Sequence, residues 1–377
     1  MIADLPARLP LICPRCGRVS ERGRELWTVS LVEVFASEPA APGMSSPVLN
    51  RVADAAPEPV EVLEGVLRCD NAACQASYPI VDGIPILVSD PAQLLCNQPA
   101  GLLLSLRPET LALLVQGASD DAPLQRVLEH LSIYLDAHWG DCAEPRLSPP
   151  AGPWGGEALF SALDARFAAS PPKGFVVELG CGVGRGLAML RRKSALAVGI
   201  DLHLPALRAA RRLLRGETLS FARRSLGRHY QAATLRPPAA GGLGQVALIC
   251  ADALDPPLPP ESAEGVVALN LLDSVSHPGQ LLSVLDGLCC DGGELFLASP
   301  YSWQSSVVHE GARLGEPTGD AAAVLRSQLI SGAGLRARYE LSWQSDLPWE
   351  LRRDARCLHR YLVDALAARK MGPTSYA

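Results

Sequence analysis

Val176-Val177-Glu178-Leu179-Gly180-Cys181-Gly182-Val183-Gly184-Arg185-Gly186 decides the reading of this chain. Apolar residues from Phe175 to Leu179 predict a buried strand, the alternating glycines a tight turn, and Arg185–Arg192 a helix. Glycine lets backbone N–H groups approach a ligand with no Cβ in the way. The dinucleotide spacing G-x-G-x-x-G is not met. Counted from Gly180 its last position is Arg185, and from Gly182 it is Leu187. Glu178, next to the turn, would repel a pyrophosphate but suits an ammonium group.

Outward from this loop, apolar strands alternate with helices. The predicted strands are Phe175–Leu179, Leu196–Ile200, Val246–Cys250, Gly265–Leu269 and Glu294–Ala298. The predicted helices are Arg185–Arg192, Pro205–Arg215 and Gln280–Leu288. That order specifies a doubly wound, mostly parallel α/β sheet. A helix over Ala321–Ser331, then Leu335–Trp343 and Cys357–Leu366 as a closing antiparallel hairpin, bring the sheet to seven strands. Arg228–Gly244, with its Pro and Gly pairs, reads as an excursion between strands.

Acids stand where ligands bind in open α/β sheets, at the carboxyl ends of strands. Asp201 suits two ribose hydroxyls and Asp252 an adenine amino group. Together with Glu178 they specify S-adenosylmethionine (SAM). Gly180, Cys181, Gly182 and Gly184 form the cradle, Leu202 and Ala253 follow the two acids, and Asn270 ends the fourth strand. This pattern resembles the class I SAM-dependent methyltransferases across about 175–361. Strand ends four and five flank the methyl donor in that fold class. Asp273 and Tyr301 are therefore candidates for orienting the acceptor or taking a proton, with Asn270 and Trp303 beside them. The N/D-P-P-Y/F signature of amino-group methylation is absent after strand four. Cys289-Cys290 stands before strand five, away from the place of a cytosine-attacking nucleophile.

Ahead of this region lie Cys13-Pro14-Arg15-Cys16-Gly17 and, after 52 intervening residues, Cys69-x₄-Cys74. Two close thiolate pairs can close a tetrahedral zinc site, and four thiolates leave no open position for catalysis. Tyr78-Pro-Ile-Val-Asp-Gly-Ile-Pro85 resembles the tail of the small zinc-binding activator protein of tRNA, rRNA and release-factor methyltransferases. Cys13, Cys16, Cys69 and Cys74 are thus the expected ligands of a structural zinc ion. Strands are predicted around Trp27–Phe35 and Val60–Leu67, with a floppy insertion over Ser37–Pro59.

The expected organisation is a zinc-ribbon-like domain over 1–89, a helical connector or lid over 90–155, and a methyltransferase domain over 156–377. In the connector, Gln125–Ala137 places Leu128, Leu131, Ile133 and Leu135 on an apolar side. Tyr134 and His138 share one helix face and are candidates for a lid over the cofactor, with His138 as a base near neutral pH. Packing at a domain junction is the competing reading.

The chain has 377 residues and a net charge of −6, which gives no global pull toward nucleic acid or anionic membrane. Between Arg185 and Arg228, however, 11 Lys and Arg face only Asp201 and Glu217. That stretch is either a solvated face or a docking patch for RNA, phosphate or an acidic protein. No signal peptide is read at the N-terminus and no apolar run reaches the roughly 18 residues of a membrane span. Leu102–Val115 comes nearest. Eleven cysteines then point to a reducing, cytoplasmic setting.

One family resemblance is more specific. Asn270-Leu-Leu-Asp273, Ser299-Pro-Tyr-Ser-Trp303 and Leu347-Pro-Trp-Glu-Leu-Arg-Arg-Asp-Ala-Arg356 resemble the C-terminal methyltransferase domain of ovothiol-biosynthesis enzymes. That domain methylates an imidazole nitrogen of a thiol-bearing histidine. Here Ser274 replaces the family's arginine, Gln304-Ser305-Ser306 replaces an acidic stretch, and the iron-binding portion is missing. The resemblance implies N-methylation of a small, imidazole-like molecule. The alternatives are an rRNA, tRNA or protein methyltransferase with an N-terminal zinc unit, and a non-catalytic SAM-binding scaffold. The oligomeric state is left open.

Overall fold

The computed structural model describes residues 1, 5–17, 27–39, 60–97, 122–145, 155–227, 229–238, 246–315 and 319–373. The stretch Leu102–Val115 and most of the expected insertion before Val60 lie outside the described residues.

The N-terminal part opens with a short helix α1 (Leu5–Arg8) and an antiparallel sheet. Its strands run in order β1 (Val29–Pro39), β2 (Val60–Cys69), β3 (Ser77–Val81) and β4 (Ile84–Pro85). The turn from β3 to β4 uses positive φ at Asp82 and Gly83, a conformation that Asp and Gly tolerate best. Helix α2 (Pro91–Asn97) follows, then α3 (Pro123–Trp139) and a two-residue strand β5 (Ala143–Glu144). Pro123 opens α3 where its missing N–H costs nothing. Leu128, Leu131 and Leu135 are buried as expected, whereas Ile133 is only half-buried.

The remainder is built from α4 (Glu157–Ala169), β6 (Phe175–Leu179), α5 (Arg185–Leu190), β7 (Leu196–Asp201) and α6 (Leu204–Leu214). After these come β8 (Leu219–Leu226), β9 (His229–Leu235), β10 (Val246–Cys250), β11 (Ala263–Leu269), α7 (Pro278–Leu288) and β12 (Cys289–Ser299). The chain closes with α8 (Ala321–Ser331), β13 (Ala337–Arg352) and β14 (Leu358–Pro373). The central seven-stranded sheet has the order β10-β7-β6-β11-β12-β14-β13. Its first five strands are parallel, and β14 pairs antiparallel with both β12 and β13.

This is the expected doubly wound α/β architecture. Strands β6, β7 and β10 are buried on both faces, which explains their continuous apolar runs. Strand β13 alternates between covered and exposed positions, the pattern of an edge strand with one wet face. Asp320 caps α8 by accepting from the Ala323 N–H at 2.8 Å, and Gly332 ends it with φ of 72°.

The excursion after β7 is more ordered than its Pro and Gly pairs suggest. Strands β8 and β9 form a hairpin that β5 extends into a separate three-stranded sheet. Its arginines hid the strand signal, because Arg223 is buried rather than solvated. Arg223 forks onto Asp136 of α3 at 2.6–3.0 Å and donates to the Pro145 carbonyl.

The rest of the basic stretch is likewise engaged inside the molecule. Arg208 pairs with Asp82 at 2.9 Å, Arg211 with Glu61 at 3.1 Å, and Arg215 with Glu61 and Glu217. Arg185 meets Asp141 at 2.8 Å, Arg224 meets Glu129 at 2.6 Å, and Lys193 meets Asp164. Arg192 stays exposed, but the paired residues among those described are neither a solvated face nor an open basic patch. They tie α6 to the N-terminal sheet and α3 to the hairpin. One apolar core runs through both regions, from Leu11, Tyr78, Ile84 and Leu87 to Leu207, Leu214 and Ile249.

Candidate functional site

The glycine turn lies between β6 and α5, where the strand order reverses and ligands bind in this class of sheet. Gly180, Gly182 and Gly184 have φ of 71°, 51° and 79°. These left-handed values carry a Cβ penalty for other residues. The turn is tied to its neighbour by Gly180 and Cys181 N–H groups, which donate to the Ile200 carbonyl at 2.8 and 3.1 Å. Cys181 is buried beneath the turn and burial pushes its thiol well up.

Glu178 is 2% exposed and lies under the start of α5. One carboxylate oxygen is buried without a hydrogen-bond partner. Burial, with Asp201 adding like charge, raises its pKa to about 8. A buried acid with an unmet acceptor beside a glycine turn is suited to a cationic group. Asp201 holds the turn from the other side. It accepts from the Gly182 N–H at 2.9 Å and from the His203 N–H at 2.7 Å. Leu202, beyond it, is 40% exposed, an apolar surface left open at a strand end.

Asp252 accepts from the Leu254 N–H at 2.8 Å, and Ala253 is buried next to it. Asn270 ends β11 with φ of 53°, and its buried side-chain oxygen has no partner. Glu178 and Asn270 thus each keep a buried oxygen without a partner, and Leu202 an exposed apolar surface, at the carboxyl ends of the strands. That donor set fits SAM: acids for the ammonium and ribose, and apolar surface for the base.

In the loop after β11, Asp273 is 4% exposed and accepts from the Ser302 N–H at 2.8 Å; burial raises its pKa. Tyr301, at φ of 51°, does not point a free hydroxyl into the site. Its hydroxyl donates to Asp364 at 2.8 Å, and Asp364 also pairs with Arg326. Burial and that carboxylate push the phenol far up.

Helix α3 lies against the turn itself. Trp139 Nε1 donates to the Val183 carbonyl at 2.9 Å, and Arg185 lies over the Trp139 ring. A Cβ built on Gly182 would find His138 Cε1 at 3.8 Å. His138 is 8% exposed, with Nδ1 buried and unpartnered among the described residues. Burial first, then Arg185 and His130, hold its pKa down at about 3. It is thus a neutral imidazole, not one poised near neutrality.

Phe160 and Trp349 flank the His138 ring at centroid distances of 5.0 and 5.5 Å. Tyr134 packs at 5.8 Å, and the charges of Asp273 and Asp201 push its phenol up to about 12, after burial. Sequence reasoning missed Phe160. Its only sign was an aromatic on the helix before the first strand of the central sheet, with no motif around it.

The four cysteines come together. Their sulfurs all lie within 4.8 Å of one another, with Cys13–Cys74 at 3.9 Å and Cys16–Cys69 at 3.5 Å. Sulfurs at about 2.3 Å from a tetrahedral zinc ion are about 3.8 Å apart, so the spacing fits. Surrounding groups fit as well. The Asn71 N–H points at Cys69 Sγ, Asn71 Nδ2 at Cys16 Sγ, and the Tyr78 hydroxyl lies 3.1 Å from Cys13 Sγ. Such contacts orient and stabilise thiolate ligands.

Among the described residues no helix is long and apolar enough to cross a membrane.

A family model described as a methyltransferase domain matches residues 177–297. No curated protein matches the chain. Similar solved structures include magnesium protoporphyrin IX methyltransferase from Synechocystis PCC 6803 with bound SAM. It is 14% identical, with TM-score 0.38, over 70% of this chain and 97% of that one. The cyclase SpnF is 13% identical, with TM-score 0.41, over 66% of this chain and 94% of that one. Haemonchus contortus phosphoethanolamine N-methyltransferase 2 with SAM is 16% identical, with TM-score 0.28, over 37% of this chain. This chain spans only 27% of the Haemonchus protein. Residues 177–297, set in a Rossmann-like sheet, match a methyltransferase domain.

Proposed function

We propose that this protein transfers a methyl group from SAM to a nitrogen of a small, imidazole-like molecule. The carrying observation is the roof over the glycine turn. His138, with its unpartnered Nδ1, faces Gly182, and Phe160, Trp349 and Tyr134 surround it. An acceptor that reached His138 would have to be compact, and aromatic walls would suit a flat ring.

SAM supplies an electrophilic methyl group on a sulfonium. Glu178 and the turn hold its amino-acid end, Asp201 its ribose and Asp252 its base. In this reading Asp273 takes or shares the acceptor's proton, since its carboxyl is buried and fixed by Ser302. Tyr301 holds the loop after β12 through Asp364. His138 accepts a hydrogen bond from the acceptor and sets its orientation. The cysteine unit binds one structural zinc ion.

The internal pairing of the basic stretch supports a small acceptor over RNA, because those arginines already have carboxylate partners. The test is S-adenosylhomocysteine production from SAM with fractionated cell extract. Turnover with the small-metabolite fraction, insensitive to RNase, is expected. Turnover confined to the RNA or protein fraction would overturn the small-molecule reading.

A further inference from the structure

The cysteine unit and the cofactor site meet at one cavity. After β4 the chain runs along β10, the outer strand of the central sheet. Ile86 forms a parallel bridge with Cys250, and the Leu87 N–H donates to the Cys250 carbonyl at 2.8 Å. The segment therefore leaves the sheet at its carboxyl end, where Asp201 and Asp252 stand. The cysteine knuckle clamps the same region from a second direction. The Ile12 N–H donates to the Pro257 carbonyl at 3.0 Å, in the loop that follows Asp252.

Between these clamps lies a cavity of about 250 Å³. Pro14, Val88 and Leu94 line it from the N-terminal side, and Leu202 and Asp252 from the sheet. Whole-ligand pockets hold about 300 Å³ or more, so this cavity has room for one end of a ligand rather than all of it. Apolar side chains from both sides, with the carboxylates of Asp90, Asp252 and Asp255 among them, suit a flat ring bearing an amino group.

We infer that Pro14, Val88 and Leu94 form one wall of the adenine pocket, and that metal occupancy of the cysteine unit is coupled to cofactor affinity. The inference rests on the SAM assignment above. Pro14 follows the ligand Cys13 directly, and the Gly17 N–H closes the knuckle onto the Cys13 carbonyl at 2.8 Å. An ion that fixes Cys13 and Cys16 therefore fixes Pro14. With the ion gone, Pro14 keeps only the backbone turn and the hydrogen bonds of Ile12 to Pro257 and of Cys13 to Trp27. Coupling between two sites is reciprocal. Whatever factor zinc adds to cofactor affinity, the cofactor must add to zinc affinity.

The test uses the full chain and calorimetry with two probes, S-adenosylhomocysteine and 5′-methylthioadenosine. The second keeps the adenosyl half and lacks the amino acid. Leu94→Asp is expected to weaken both by similar factors, about tenfold or more, because the lost wall serves the shared half. Val88→Ala, a milder change, is expected to weaken both about threefold and keeps the test open if Leu94→Asp does not fold. Chelation of zinc is expected to weaken both probes, and S-adenosylhomocysteine to slow zinc release to a competing chelator.

Unchanged affinities in the folded wall variants would overturn the pocket while leaving the SAM assignment standing. Unchanged affinities after chelation, or a zinc content near zero in the purified protein, would overturn the coupling. Failure of folded wild-type protein to bind S-adenosylhomocysteine would remove the SAM assignment and the inference with it.

Discussion

A Cβ atom at Gly186 would lie 2.5 Å from both carboxylate oxygens of Glu178. The start of α5 therefore rests directly on the buried acid, and the missing side chain leaves the acid its place. Gly186→Ala is expected to push Glu178 aside. Overpacking of this kind costs about 1–3 kcal/mol of stability. SAM affinity should fall at least about tenfold, equivalent to about 1.4 kcal/mol. Denaturant unfolding and calorimetry measure the two losses separately.

Glu178 also carries a pH signature. Its folded pKa of about 8 stands above an ordinary value of 4.5. The unfolded chain ionises first, so the folded state holds the extra proton between those values. Stability from this group is complete below pH 4.5 and is lost as pH rises toward about 8. Glu178→Gln should gain on wild type across that window, by an amount on the order of a few kcal/mol. A cationic ligand favours the ionised acid, so SAM binding at pH 7 should release a proton. Calorimetry in two buffers of different ionisation enthalpy detects it; equal heats would count against contact between Glu178 and the ammonium.

His138 gives the opposite dependence. Its folded pKa of about 3 lies below the ordinary 6.5. The unfolded chain therefore takes up the proton first as pH falls. The stabilising contribution is present above 6.5 and is lost between there and about 3. His138→Phe should flatten part of the acid unfolding curve while abolishing or slowing turnover. In wild type, the pH–rate profile should show no inflection near 6.5 from this imidazole.

Glu61 joins the N-terminal sheet to α6 through Arg211 and Arg215, and is itself 2% exposed. Glu61→Ala would leave two largely buried guanidinium groups with only the more exposed Asp82 and Glu217 as partners. Breaking a buried pair outright costs about 3–5 kcal/mol, and the loss here is expected at or below that range. A clear fall in the midpoint of denaturant unfolding is expected. A loss within about 0.5 kcal/mol, the range of ordinary surface changes, would show that the pair is not structurally important.

Much of the central sheet was readable because its strands are buried on both faces. Val176-Val177, Ala197-Val198 and Val246–Cys250 can be continuous apolar runs only in such a place. The bounds of α8 matched the predicted helix because Asp320 and Gly332 mark them chemically. Strand β8 was not readable. Its arginines look solvated until α3 supplies Asp136, 87 residues away in sequence. Likewise nothing local to Tyr301 foretells that Asp364 engages its hydroxyl.

The doubly wound sheet, the glycine turn with its strand-end acids and the paired cysteine spacing are all legible in the order of residues alone. Periodicity and turn chemistry encode which face of an element is covered and where the backbone must bend. Only the tertiary structure decided what covers those faces. It set His138 over Gly182, engaged the basic stretch in ion pairs, and brought Pro14 and Leu94 to the cavity beside Asp252. Those meetings depend on contacts between residues far apart in the chain, such as the bridge from Ile86 to Cys250. Their energy comes from desolvation and charge pairing at closure, which no local pattern records.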